Sequence, residues 1–253
     1  MERSQLKYPA DSESIKAIET ASDSFLLNKI ANLEWDKFIR FSDYFSAPAG
    51  TSVANSGYLA QTNGTASAIT NDSTQLALSA GMASGALASV SKKPLWVPFL
   101  TYLAPSYFRT GIATDSTFNI RAYVMQGATG TVGYGFKVIN HTLNGMVVDS
   151  ASGTESTVRL VNSTFTNLAG DSTTLYSLAA KFFPGNKCIF YVNGLESGSI
   201  PSTDAHFPIS TQGVPETNLF EAYVSTTTTV TTTKSLFLSY IDILQFKQNA
   251  SQQ

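Results

Sequence analysis

Eighteen acidic residues and two histidines are the groups that could carry acid–base or metal chemistry in this 253-residue chain, and their spacing argues against both. Glycoside cleavage needs two carboxylates held at a defined separation across the bond. Yet Asp115, Asp149, Glu155, Asp171, Glu196, Asp204, Glu216 and Glu221 mostly fall in or beside predicted turns, where Asp closes Asx-turns and Glu is solvated. Asp242 stands apart because it interrupts an apolar run. A buried carboxylate needs hydrogen-bond partners or a cation, so backbone capping, an exposed strand face and a Ca²⁺ ligand are the roles open to it; no Asp/Asn cluster surrounds it in sequence. His141 follows Asn140 in a predicted turn and His206 precedes Phe207 and Pro208, with no Cys or His at zinc-ligand spacing. The chain also lacks a Gly-x-Ser-x-Gly elbow and a phosphate-cradling glycine motif. The reading is therefore of a protein that is not an enzyme, with no catalytic residue, no metal and no cofactor.

Aromatic side chains are the better candidates for binding. Residues 92–108 hold the densest mixture of aromatics and proline, and Trp96, Tyr102 and Tyr107 could form a flat surface for a sugar or a partner protein. Such rings present an apolar face and a polar tip. The competing reading places the same rings in a core, with Pro94, Pro98 and Pro105 marking edge strands or bulges.

Composition narrows the partners. Hydrophobic residues make up 43% and charged residues only 13%, about half the usual charged share, so the polar surface must consist largely of Ser, Thr, Asn and Gln. Charge repulsion between copies is then weak, which suits a surface partly covered by partners. A net charge of -2 without a Lys/Arg stripe excludes nucleic acid as the main partner, because phosphate binding requires concentrated positive charge. No apolar stretch of about 18 residues is present and the first seven residues have no apolar core, so neither a membrane span nor an export signal is expected. Cys188 is the single cysteine, so no internal disulfide forms and stability must come from core burial.

Two grammars divide the chain. Residues 11–40 lack glycine and are rich in charge, and Ile15, Ile18, Phe25, Leu26, Ile30 and Leu33 fall near one helical stripe, which predicts a helical arm over 1–40 for anchoring or oligomerisation. From Phe41 onward short β-type runs alternate with Gly, Asn, Asp, Ser and Pro. Phe118, Ile120, Ala122 and Val124 alternate with more polar residues, while Cys188, Phe190 and Val192 alternate with Ile189 and Tyr191, predicting a strand buried on both faces. Asn63-Gly64, Asn144-Gly145 and Asn193-Gly194 each suit a type I′ hairpin. The β-branched run 226–233 predicts a solvated strand or hairpin. With no helix-length pattern between the later strands, the expected fold is all-β, a two-sheet antiparallel sandwich over 41–247, followed by a tail at 248–253.

The order of these features resembles the concanavalin A-like lectin/glucanase jelly rolls, in the form found in structural proteins of tailed bacteriophages. The resemblance rests on residues 74–81 as an early strand, on 176–194 as strand, turn, strand and a Tyr191-Val192-Asn193-Gly194 hairpin, and on 235–246 as a closing strand with its aspartate, Asp242. It implies two curved antiparallel sheets in which the closing strand near Tyr240 pairs close to the strand near Phe41. The carboxylate sets of the hydrolases of that class and the Gln-Ile/Val-His strand of its lyases do not occur here. The resulting expectation is a non-enzymatic virion component of a bacteriophage, such as a decoration, fibre or tail-associated protein on the particle surface. It would be made in the host cytoplasm and would assemble as a homo-oligomer, expected to be a trimer, with other virion proteins. The alternatives are a lectin module that binds a host-surface glycan, and a polysaccharide hydrolase or lyase, which would require two carboxylates facing each other in a groove.

Overall fold

Apolar and polar residues alternate along most of the chain after Phe38, and a strand whose side chains point alternately to opposite sides can bury one set only against a second sheet. In the computed structural model the described residues, 38–45, 48–92, 106–115, 117–127, 130–139, 141–148, 154–169, 171, 173–208 and 220–246, form fifteen strands. One sheet contains β1 (Phe38–Asp43), β3 (Ala68–Asn71), β4 (Leu76–Ala80), β6 (Ser106–Thr114), β11 (Tyr176–Phe183), β12 (Lys187–Val192), β13 (Leu195–Pro201) and β15 (Lys234–Phe246). Its order is β13-β12-β11-β6-β15-β4-β3, with β1 also pairing β15. The other sheet, in the order β10-β9-β8-β7-β14-β5-β2, is built from β2 (Tyr58–Asn63), β5 (Leu87–Lys92), β7 (Phe118–Gly127), β8 (Gly130–Ile139), β9 (Thr142–Val148), β10 (Glu155–Arg159) and β14 (Phe220–Ser225). Every described strand pair is antiparallel. The all-β sandwich expected from period-two burial is the observed architecture. Among the described residues no helix is long and apolar enough to cross a membrane.

Aromatic rings fill the space between the sheets. Phe108 packs against Phe136 and Phe220, Phe136 meets Phe190 edge-on, and Tyr134 stacks on Phe182, which stacks in turn on Phe207. All seven rings are essentially inaccessible, and each contributes about 1.5–3 kcal/mol from removal of apolar surface from water. Tyr134 brings its hydroxyl with it and donates to Ser106 Oγ at 2.8 Å; burial pushes the phenol pKa up. Cys188, Phe190 and Val192 are fully buried, as their alternation predicts. Burial likewise pushes the Cys188 thiol up, so it packs as a small hydrophobe.

The turns obey local chemistry only in part. Asn193 and Gly194, at φ 50° and 81°, close the β12–β13 hairpin as expected. Asn144-Gly145 lies instead inside β9, where the Phe190 ring occupies the space a Cβ would need. Asn63-Gly64 leads from β2 in one sheet to β3 in the other, so it makes no hairpin. The threonine run 226–233 is neither strand nor hairpin but the crossing from β14 to β15, because the Thr226 hydroxyl is drawn into the β4–β5 turn, within reach of the Ala83, Gly81 and Ala86 carbonyls at 2.7, 3.1 and 3.4 Å. β1 begins at Phe38, so the strand takes in the last residues of the span assigned to the arm. Ile15, Ile18, Phe25, Leu26, Ile30 and Leu33 lie outside the described residues.

Candidate functional site

β15 positions the most chemically distinctive group of side chains. From Leu236 to Gln245 it pairs with β6; on its other edge Lys234–Leu238 face β4 and Ile241–Phe246 face β1. The expected pairing of the closing strand with the strand near Phe41 is therefore found, with Phe41 opposite Ile243 and Ser42 opposite Asp242. A β-bulge falls between Leu238 and Tyr240. An extra residue there re-aims the side chains beyond it, so that Leu236, Leu238, Ile241 and Ile243 all reach the core while Tyr240 and Asp242 lie on the outer face.

Asp242 is only 6% exposed, and its two oxygens accept four hydrogen bonds. Arg40 grips it from β1 through Nε to Oδ1 at 3.0 Å and Nη2 to Oδ2 at 3.1 Å. Ser42 Oγ donates to Oδ1 at 2.7 Å, and Arg109 Nη2 donates from β6 to Oδ2 at 3.1 Å. Four donors occupy the roughly four lone-pair directions of a carboxylate. This arrangement replaces the exposed, backbone-capping and Ca²⁺-ligand roles open to Asp242 from sequence. The hydrogen bond to Asp242 raises the Arg40 pKa above its ordinary value, with partial desolvation opposing it. Paired guanidiniums compensate the buried charge and tie the first strand, the last strand and β6 together.

Beside this cluster lies an aromatic platform. Tyr240 faces Gly111 across the β15–β6 pair, and its ring fills the volume of the missing Cβ; a Cβ at Gly111 would stand 2.7 Å from Cε1. The ring spans β6 to reach β11, where its hydroxyl lies 3.0 Å from Ser177 Oγ. The Arg109 guanidinium sits 5.4 Å from the ring centre, within cation–π range. Tyr44, 54% exposed, places its ring 6.2 Å from that of Tyr240 at a tilt of 36°. A side-chain turn sets this position: Asp43 Oδ1 accepts the Phe45 N–H at 2.8 Å and Oδ2 accepts the Tyr58 hydroxyl at 2.8 Å. Phe45, at φ 49°, is thereby turned into the core and Tyr44 is left outside. The Arg40 side chain is 47% exposed beside the platform. Two rings bordered by guanidinium and hydroxyl donors can hold a flat apolar face and hydrogen-bond its rim.

The three aromatics singled out from sequence are not brought together among the described residues. Tyr107 belongs to β6 and is 5% exposed outside the inter-sheet core, so it offers no open ring face; Trp96 and Tyr102 lie outside the described residues. Sequence reasoning does not find Tyr44, Tyr240, Arg40, Ser42, Arg109 or Ser177. The signal that could have found them is the pairing of the Phe41 and Tyr240 regions, which puts two tyrosines side by side.

No family model and no curated protein matches the chain. Among solved structures it is similar to a protein of unknown function from Shewanella oneidensis MR-1, with 15% identity, a TM-score of 0.51, and coverage of 90% of this chain and 95% of that one. It is also similar to the receptor-binding domain of botulinum neurotoxin D, at 13% identity over 77% of this chain and 46% of that one, TM-score 0.47. A third similar structure is that of botulinum neurotoxin type C, whose cell entry is described as dependent upon interaction with two ganglioside molecules. It is 8% identical over 77% of this chain and 44% of that one, TM-score 0.48. The chain spans less than half the length of either toxin chain. The Shewanella likeness shows a shared fold, and the class of protein defined here is a two-sheet antiparallel β-sandwich.

Proposed function

We propose that this chain is a non-enzymatic carbohydrate-binding module that uses Tyr44 and Tyr240 to stack a sugar ring of a host-surface glycan. The observation that carries the reading is the Tyr240 ring held over Gly111, with Tyr44 beside it and Arg40 and Ser177 at its margin. Sugar rings have one face of C–H groups and a periphery of hydroxyls, and an amphipathic aromatic bordered by polar groups complements both. Asp242, the carboxylate bonded within this cluster, has its oxygens committed to arginine and serine, which favours binding over hydrolysis or lyase chemistry.

A glycan array followed by calorimetry with the best ligand tests this. Tyr240→Ala and Tyr44→Ala are each expected to weaken binding about tenfold or more, the effect of losing one desolvated aromatic contact of roughly 1.4 kcal/mol. Gly111→Ala is expected to do the same by lifting the Tyr240 ring from the sheet. Binding unchanged in all three variants would remove the platform from the proposal.

The setting we propose is the outer surface of a bacteriophage particle, with the module assembled as a homo-oligomer, a trimer, alongside other virion proteins. The low charged fraction and the resemblance to phage jelly rolls support it. Antibody labelling of purified particles, and light scattering on the full chain, check location and copy number; unlabelled particles or a monomer would contradict the corresponding half.

A further inference from the structure

A second surface lies at one end of the sandwich. Three connections converge there: the turn after β6, the turn between β8 and β9, and the threonine-rich crossing from β14 to β15. Between them is a cleft of about 210 Å³ whose polar lining includes Asp115, Thr117, His141, Thr227, Thr228 and Lys234.

The walls are held by hydrogen bonds that do not consume the groups facing the cleft. Besides the Thr226 hydroxyl in the β4–β5 turn, Gly85 N–H donates to the Thr226 carbonyl at 2.8 Å, Val230 N–H to the Met82 carbonyl at 2.9 Å, and Ser84 Oγ to the Thr227 carbonyl at 3.0 Å. These bonds use the backbone of the crossing and leave the hydroxyls of Thr227 and Thr228 available to the cleft. On the opposite side Ser235 N–H donates to Asp115 Oδ1 at 2.8 Å, so one carboxylate oxygen shapes the turn and the other remains an acceptor. His141 takes a left-handed backbone conformation, φ 63°, with its carbonyl accepting the Leu168 N–H at 3.1 Å. A strained turn so fixed places the imidazole at the rim. Lys234 takes no part in the ion pairs that join Arg40 and Arg109 to Asp242 and Lys137 to Glu155.

Lys234 and the half-used Asp115 carboxylate line the same cleft without an ion pair between them, so an occupant can bring an anionic group to the ammonium and O–H donors to the carboxylate and the threonine hydroxyls. A bare oxyanion supplies only the first of these, because it would meet Asp115 with like charge and no proton to offer. The volume is below the roughly 300–1,000 Å³ of drug-sized ligand sites, which limits the occupant to about one ring. We propose that this cleft binds an acidic monosaccharide. Its carboxylate meets Lys234 Nζ, and its hydroxyls bond the free oxygen of Asp115 and the hydroxyls of Thr117, Thr227 and Thr228, with His141 covering the open side. The inference is independent of the aromatic platform, since the two sites share no residue.

The test is a titration of the full chain with glucuronate, glucose and acetate, followed by backbone amide shifts and by calorimetry. Saturable binding of glucuronate at least about tenfold tighter than either control is expected. The shifts should centre on Asp115, His141, Thr228 and Lys234. Lys234→Met should abolish the preference over glucose and Thr228→Val should weaken binding several-fold, while Tyr240→Ala should leave it unchanged. Glucose or acetate binding as tightly as glucuronate, shifts located elsewhere in the wild-type protein, or no saturation would each overturn the proposal. Loss of glucuronate binding in Tyr240→Ala would assign the sugar to the platform instead. The wild-type shift map decides the matter even where a variant fails to fold.

Discussion

The aromatic platform and the end cleft differ in how the chain builds them. At the platform, side chains from β1, β6, β11 and β15 meet because strand register sets them opposite one another, and the cluster that aligns them also bridges three of those strands. At the cleft, connections supply most of the polar groups, and the strands contribute Ser225 at the end of β14 and Lys234 at the start of β15. Function and stability are therefore tied together at the first surface and separable at the second. Loops on a rigid scaffold can change their chemistry without disturbing the core, whereas a change at Asp242 touches the pairing of the first and last strands.

The largest expected effect breaks the platform. Asp242→Ala leaves two guanidiniums without their shared acceptor, and loss of one partner from a buried ion pair costs about 3–5 kcal/mol. Because Arg40 and Arg109 are partly exposed, about 2–3 kcal/mol is expected here. Chemical denaturation measures the loss; the platform ligand should be lost with it, while glucuronate binding should persist in whatever fraction remains folded.

A smaller effect breaks the cleft. Thr226→Val removes the hydroxyl shared among the Gly81, Ala83 and Ala86 carbonyls at nearly constant shape, at a cost of about 1–2 kcal/mol. Cleft binding should weaken with the wall, and the array signal of the platform should be unchanged. Equal losses at both surfaces would show that the two are not independent.

The smallest effect touches neither surface and sharpens the contrast between them. The Ser156 hydroxyl, hydrogen-bonded at 2.5 Å, holds the Asp204 carboxyl below its ordinary pKa against a small desolvation penalty, helped by the His206 N–H at 2.9 Å. A carboxyl whose pKa is depressed on folding adds stability that is fully present above about pH 4 and is lost as pH falls through the folded value. Denaturation midpoints between pH 5 and pH 2.5 should therefore fall less steeply for Asp204→Asn than for the wild type, with binding at both surfaces unaltered at pH 7.

Several features are legible in the amino-acid order alone. Alternation at 188–192 predicts that Cys188, Phe190 and Val192 are buried, because apolar side chains on both faces of a strand call for a central place in its sheet; Asn119, on the more polar face of its strand, is buried as well. Asn193-Gly194 predicts its hairpin because both residues tolerate positive φ and the flanking runs are strands of one sheet. The identical dipeptide at 144–145 misleads, since the decisive contact is the Phe190 ring, which comes from the opposing sheet. Arg40 groups with the arm by composition and belongs to a strand. Trp96, Tyr102 and Tyr107 stand out through local density, whereas the rings that meet, Tyr44 and Tyr240, lie near opposite ends of the described residues.

By itself the sequence determined the all-β class and the buried state of Cys188, Phe190 and Val192, because each depends on local periodicity and on transfer of apolar groups out of water. Tertiary structure alone decided that a bulge at Ser239 would turn Tyr240 onto Gly111, that Arg40 and Arg109 would converge on Asp242, and that the threonine run would wall a cleft. Those outcomes depend on which strands are neighbours and in what register, and such long-range pairing leaves almost no trace in the residues nearby.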